Sequence, residues 1–331
     1  MNILLISIKG NSWSDVYYKR LLEWIKKYTD HNVTLHFIPK EYQFVPFLIP
    51  RYIKKHPELK WYDIVQTNIE FAHCLKWLGK KLIWVLHHNI FDKEFQKFTS
   101  IAQKMYHYGI LRYHTRKSLD STDINIAVSN YTKTSYEKVF VISKPTMVIY
   151  NGIDLEKYHP ISEIQEEKRN RQGIRLLFIG NQSKRKWRDV VLKTMKSLSM
   201  NTIGEKIELY YTGLRNNKSQ ELEEYNMFCL GRLSEEDLVK EYNKADYLFF
   251  PSRLEGFGYS VVEAIACGIP VISNWWSSLE EIHILTNTTP IPILPWSRIP
   301  KHIHYKTDEQ KVRIFDMKNQ VIRYKLIYEQ I

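Results

Sequence analysis

Short apolar runs recur along the chain, separated by segments whose apolar residues return at helical spacing. In the first half the runs are Ile3 to Ile8, Val33 to Ile38, Asp63 to Gln66, Lys81 to Leu86, Ile124 to Val128 and Thr146 to Tyr150. Most are continuous rather than alternating, the pattern of strands covered on both faces. Between them, Val16 to Tyr28 places Val16, Leu21, Leu22 and Ile25 on one helical face. Strand alternating with helix predicts a parallel, doubly wound sheet. The alternation restarts at Arg175 to Ile179 and continues through Ile207 to Tyr211, Ala245 to Phe250 and Pro270 to Ser273. Two such α/β sheets in tandem are therefore expected.

The break falls near Asn151-Gly152-Ile153-Asp154, and the polar stretch Ser162 to Gln172 after it has little to bury. A proline-rich piece (Pro290, Pro292, Pro295, Pro300) leads into Asp308 to Ile331, which reads as helical. The expected division is a domain at 1–155, a second at 156–307, and a terminal helix at 308–331 that returns to the first.

Length agrees with this division, since 331 residues exceed one ordinary core. A hydrophobic share of 44% and a charged share of 25% describe a folded globular protein. The net charge of +12 favours an anionic partner: nucleic acid, an acidic lipid surface or a phosphorylated substrate. No nucleic-acid module accompanies the charge, so no nucleic-acid partner is expected. Met1 to Ile8 lacks a basic lead and a cleavage site and reads as a first strand rather than a signal peptide. No run approaches the roughly 18 apolar residues of a membrane span. Cys74, Cys229 and Cys267 are odd in number and far apart, which argues against a disulfide framework or a zinc site and for a cytoplasmic protein.

Residues 93–117 stand apart. Phe95, Phe98, Ala102 and Met105 follow helical spacing beside Lys93, Lys97, Lys104, Arg112, Arg116 and Lys117. One reading is a basic amphipathic helix resting on a membrane surface. The plainer one is a core-facing stripe with a solvated basic back.

The densest chemistry lies at Pro251 to Ser273. Ala245 to Phe250 is an apolar strand that Pro251 stops, Gly256-Phe257-Gly258 is a turn, and Tyr259 to Cys267 is a helix ended by Gly268 and Pro270. Strand, glycine turn and helix N-terminus make a place where backbone N–H groups and the positive end of a helix dipole meet an anion. Glu255 and Glu263 flank it.

Spacing of two glutamates is weak by itself; the flanks make it specific. Gly231-Arg232-Leu233-Ser234, Ala245-Asp246, Pro251-Ser252, Glu255-Gly256-Phe257-Gly258, Glu263-Ala264-Ile265-Ala266-Cys267-Gly268 and Pro270-Val271 follow in order. This series resembles the retaining glycosyltransferases of family 4 (group 1), whose GT-B fold has two Rossmann-like domains facing a cleft. Ala127-Val128-Ser129, Tyr150 to Asp154 and Leu176-Leu177-Phe178-Ile179-Gly180 extend the resemblance more weakly.

The resemblance implies sugar transfer from a UDP- or GDP-linked donor to a glycan, lipid or other hydroxyl acceptor. It gives Glu263 the ribose hydroxyls and Glu255 the donor sugar. Lys186, Arg185, Gly10, Gly180 and the turn around Phe257, Gly258 and Tyr259 would hold the diphosphate, and Leu233 would line the nucleotide. Where the family commonly has an arginine after Gly180, this chain has Asn181; Lys184 or Arg185 is left to supply the charge. In the first domain the resemblance assigns His88 of His87-His88-Asn89, the histidine followed by an amide residue, to catalysis. The same resemblance implies no cofactor and no metal, and the chain has no Asp-x-Asp motif and no His/Cys ligand spacing.

The rivals are weaker. No Gly-x-Gly-x-x-Gly follows the first strand and no Walker loop is present, which disfavours a dehydrogenase and an NTPase. A nucleotide-sugar epimerase or hydrolase of the same fold and a non-catalytic basic binder remain as alternatives.

Overall fold

The computed structural model describes residues 1–10, 13–180, 188–201, 206–213, 222–293 and 307–331. The chain divides into one unit of Met1–Gly152 with Met317–Ile331 and another of Ile153–Asp316.

The first unit is built on a six-stranded sheet in the order β2-β1-β3-β4-β5-β6, where β1 is Asn2–Ile8, β2 Asn32–Ile38, β3 Ile64–Thr67, β4 Lys81–Leu86, β5 Ile124–Ala127 and β6 Thr146–Val148. Every neighbouring pair is parallel. Ile3, Leu4, Leu5 and Ile6 have no exposed surface, which is why the run that encodes β1 does not alternate.

The helix Trp13–Tyr28 covers one face, but not with all the residues expected. Val16 is 39% exposed, and Tyr17, Tyr18, Leu21, Trp24 and Ile25 point inward instead. Tyr17 can be buried because its hydroxyl end has polar company. Tyr17 Oη lies 2.7 Å from Tyr324 Oη, on the terminal helix Met317–Gln330. On that helix Tyr328 also donates to Gln66 Oε1 at 2.6 Å, and Gln320 Oε1 accepts the Gly152 N–H at 2.9 Å.

The stretch after Asp308 is not one helix. Glu309–Val312 and a 3₁₀ turn at Arg313–Phe315 belong to the second unit, and the long helix starts at Met317, beyond an extended Asp316.

Residues 93–117 do not form a single helix either. Lys93–Gln96 stops, Ser100 starts a new helix at Ile101–Tyr106 with a reciprocal capping box, and a π-turn at His107–Leu111 leads into Arg112–Ser121. Ile101–Tyr106 has no fully buried residue: Ala102 and Met105 of the expected stripe are exposed, and the partly buried Tyr106 packs on the core instead. Ile101 is 79% and Met105 72% exposed, one turn apart. The buried residues of the segment are Gln96, His107, Leu111 and Thr115.

The second unit has a five-stranded parallel sheet, β11-β10-β7-β8-β9, with β7 at Ile174–Phe178, β8 at Ile207–Thr212, β9 at Met227–Gly231, β10 at Tyr247–Phe250 and β11 at Val271–Ser273. The polar stretch expected to be a connection is instead the helix Ser162–Asn170. It lies against the helix Glu235–Lys244 through hydrogen bonds more than apolar contact: Asn243 Oδ1 accepts Ile161 N at 2.8 Å and Gln165 Nε2 at 3.4 Å. Asp246 ties β7 to β10 by accepting Arg175 N at 2.7 Å and the Arg171 guanidinium. Its neighbour Arg175 pairs with Glu241 and lies 3.5 Å over the Tyr210 ring. The Ala-Asp pair is thus a staple at the start of a strand.

Among the described residues no helix is long and apolar enough to cross a membrane.

Candidate active site

In the second sheet the chain lays β7, β8 and β9 outward to one side, then returns to place β10 on the other side of β7. The order reverses between β7 and β10. In open parallel sheets a crevice opens at such a point, outside the carboxyl ends of the strands. Gly180 follows β7, Leu233 follows β9, and Glu255, Phe257, Gly258 and Tyr259 follow β10, all at that edge.

Pro251 ends β10 because it has no N–H for the ladder. The chain then reaches Gly258, which starts the helix Tyr259–Ala266 at φ +100°. That backbone demands glycine, and a Cβ would in addition push on Leu279 Cδ2 at 2.7 Å. No side chain caps this helix, and its positive end lies at Gly258 and Tyr259.

The loop is held from behind by the segment after β11. Ser278 Oγ lies 2.9 Å from both Glu255 O and Phe257 O, Trp276 Nε1 donates to Arg253 O at 2.5 Å, and Asn274 Nδ2 donates to Ser252 O at 3.3 Å. Ser277 Oγ accepts the Glu255 N–H at 3.3 Å from a residue with φ +61°. Sequence reasoning missed Trp276 and Ser278, and it gave Ser252 of the Pro251-Ser252 pair no role. Their partners are mostly carbonyls of the glutamate loop, and no residue pattern announces such a contact.

The two glutamates differ in setting. Glu255 is half-buried, and Ser252 Oγ donates to its Oε1 at 2.6 Å, fixing the carboxylate. Glu263 is 0% exposed, and Tyr242 Oη donates to its Oε2 at 2.8 Å. Burial first, then the Glu263 charge, push the Tyr242 hydroxyl well above its ordinary range. The phenol therefore keeps its proton and remains the donor.

Phe257 is buried and packs edge-on to Tyr259 at 5.3 Å and Phe315 at 5.6 Å, filling space under the loop. Leu233 is partly buried, between Gly231 at φ +75° and Ser234, whose Oγ accepts Asp237 N at 3.1 Å and caps the next helix. Gly180 N donates to Thr212 Oγ1 at 3.1 Å. Lys186 and Arg185, with Asn181 and Lys184, lie outside the described residues.

In the first unit, Gly10 is exposed after β1, and its N–H reaches Asp15 Oδ2 at 3.2 Å. His88 is exposed after β4, tilted on the Phe95 ring at 5.4 Å. Its neighbour His87 stands edge-on to Tyr17 at 4.6 Å. Burial and then His88 push His87 down to about 3, so it is neutral near pH 7. Asn89 is a turn former: its side chain donates to Ser135 O at 2.7 Å and accepts Phe91 N at 2.9 Å.

Two family models match the chain. "Glycosyltransferase Family 4" covers residues 11–157 and "Glycosyl transferases group 1" covers residues 161–286. The chain is 29% identical over 178 residues to an uncharacterized 41.2 kDa protein in the cps region of Klebsiella pneumoniae, a match covering 51% of this chain and 48% of that one. It is 25% identical over 227 residues to the processive diacylglycerol alpha-glucosyltransferase of Acholeplasma laidlawii, covering 64% and 65%. These matches span less than two thirds of either relative's length. Among solved structures, Anabaena HepE in complex with UDP and glucose superposes with a TM-score of 0.71 at 16% identity, covering 100% of both chains. With the Glu255 to Glu263 unit at the switch point of its second sheet, the chain belongs to the group 1, family 4 glycosyltransferases and has their two-unit GT-B fold.

Proposed function

We infer that the chain transfers a sugar from a nucleotide diphosphate donor to a hydroxyl acceptor, with retention at the anomeric carbon and without a metal ion at the reaction centre. The observation that carries this is the glycine-started helix beside a fixed, half-buried carboxylate at the switch point of a parallel sheet. The helix end at Gly258 and Tyr259 stabilises charge growing on the departing diphosphate, a role in which preorganised backbone dipoles need no reorientation. Glu255 takes the donor sugar, hydrogen-bonding its hydroxyls and stabilising positive charge at the anomeric carbon. Attack then comes from the face the diphosphate leaves, and a donor phosphate oxygen accepts the acceptor's proton. Glu263 takes the ribose; since it has no exposed surface, its neighbours must part for that contact, with Tyr242 holding the carboxylate in place. Lys186 and Arg185 supply positive charge for the diphosphate. The test is turnover of UDP- and GDP-sugars followed by NMR, the donor supported first being UDP-glucose, since HepE is held with UDP and glucose.

The acceptor reading that the surface favours is a lipid. Ile101, Met105 and Tyr108 lie exposed on successive turns, with Lys104, Arg112 and Arg116 nearby, and the Acholeplasma relative is named for a diacylglycerol acceptor. Apolar side chains set among cations suit an anionic bilayer surface. The chain is expected to float with anionic liposomes and to lose at least about tenfold in partitioning when Ile101 and Met105 are both replaced by Asp. Equal flotation of the doubly substituted chain would exclude this surface.

A further inference from the structure

Away from the glutamate loop, three side chains of the first unit converge. His73 and Cys74 lie on the 3₁₀ helix Ala72–Leu78, and His114 lies on the helix Arg112–Ser121. His73 Nε2 is 3.3 Å from His114 Nδ1 and 3.6 Å from Cys74 Sγ, and all three atoms lie within 4.8 Å of one another. Among the described residues this is the one group of three or more such side chains with that spacing. A tetrahedral ion with metal–nitrogen bonds of about 2.05 Å and a metal–sulfur bond of about 2.3 Å has N···N edges of about 3.4 Å and N···S edges of about 3.6 Å. Two observed edges already have those lengths.

The hydrogen bonds behind His73 fix which of its nitrogens faces the others. Ser118 Oγ donates its single proton to Glu70 O at 2.8 Å, a carbonyl that can only accept. The same oxygen lies 3.1 Å from His73 N and 3.2 Å from His73 Nδ1, so it accepts from both. His73 Nδ1 therefore carries the proton, and in the neutral ring Nε2 is a bare lone pair aimed at Cys74 and His114. A hydroxyl or carbonyl that anchors the far nitrogen is the usual support of a metal-bound imidazole. Cys74 is buried, and His114 stacks on His73 with Phe71 edge-on beneath it at 5.8 Å. Burial holds His73 down to about 4, ahead of the charges of His114 and Lys117, which keeps its ring neutral. Burial pushes the Cys74 thiol up to about 11, so without a metal it stays protonated. The opposing charge is Lys117, exposed, with its ammonium 4.7 Å over the Tyr113 ring.

We propose that His73 Nε2, Cys74 Sγ and His114 Nδ1 bind one zinc-class divalent ion, with water as the fourth ligand. On binding, the Cys74 thiol proton leaves to solvent and the His114 proton moves from Nδ1 to Nε2, so that one sulfur and two nitrogen lone pairs reach the metal. The ion staples the 3₁₀ helix to the helix Arg112–Ser121. Borderline ligands of this kind suit zinc and cobalt rather than magnesium or calcium. The site is separate from the sugar-transfer reading and does not depend on it.

The test is Co²⁺ titration of the full chain, purified without a histidine tag and stripped with chelator. One ion per chain is expected, with visible bands of tetrahedral intensity and a thiolate-to-cobalt charge-transfer band, both displaced by Zn²⁺. Cys74→Ser is expected to remove the charge-transfer band. His114→Gln, at a half-buried position, is expected to weaken binding at least about tenfold. Absence of saturable binding, a spectrum without the thiolate band, or a spectrum unchanged in either variant overturns the proposal. A thiolate band that survives Cys74→Ser would place the ion on Cys229 or Cys267 instead and overturns it equally.

Discussion

Replacing Glu255 by glutamine is expected to lower turnover of the donor by about 10²–10³-fold while leaving nucleotide diphosphate affinity within about twofold. The substitution keeps the shape of the side chain and an oxygen for the Ser252 hydroxyl, which now bonds Oε1 at 2.6 Å. It removes the negative charge that, in the proposed mechanism, stabilises the developing cation on the sugar. In the proposed mechanism the diphosphate is held by the helix end and the lysine–arginine segment rather than by this carboxylate, so binding of the nucleotide alone is expected to survive. Thermal shift with the nucleotide diphosphate reads that arm: ligand at 100 times its Kd adds about 2.7 kcal/mol of stability in wild type and variant alike. A variant that loses nucleotide affinity and turnover together contradicts the assignment of Glu255 to the sugar.

The second large effect is expected at Gly152. A Cβ there would sit 2.4 Å from Met317 Cα and 2.8 Å from Met317 N, and both are backbone atoms at the start of the terminal helix. No rotamer change relieves such a contact, so the helix must shift and strain the bond from Gly152 N to Gln320 Oε1 and the Tyr17–Tyr324 pair. Gly152→Ala is expected to cost about 3 kcal/mol and to lower Tm by roughly 6–12 °C. Gly109→Ala serves as the control, because nothing lies within 4 Å of its added Cβ. Equal melting temperatures for the two variants would contradict the close approach at Gly152.

Most of the parallel strands were legible in the sequence because both faces of each are covered, which writes them as continuous apolar runs. β9 was harder: it is an edge strand, with four of its five residues only partly buried. The helix Ser162–Asn170 was missed for a related reason. It docks by hydrogen bonds to Asn243, so its sequence lacks the apolar stripe that marks a helix. In Trp13–Tyr28 the period was right and the residues were not, because paired hydroxyls let Tyr17 replace Val16 on the inner face.

For the site, the strand, turn and helix of Pro251 to Ser273 stand where their pattern put them. What the pattern did not carry is the difference between the two carboxylates. Glu255 is fixed by a serine three residues earlier, whereas Glu263 is enclosed with a tyrosine twenty-one residues away in the chain. The His73–Cys74–His114 group was illegible because His114 lies forty-one residues from His73 in the chain and meets the adjacent His73–Cys74 pair only through packing of two helices.

The most direct test of the account is an NMR time course of wild-type chain with UDP-glucose and a diacylglycerol dispersed in anionic vesicles. Release of UDP is expected, with glucose appearing on the lipid in the same α configuration as in the donor and without added metal. Product of inverted configuration, or a chain inert toward every UDP- and GDP-sugar tried in the same assay, would contradict it.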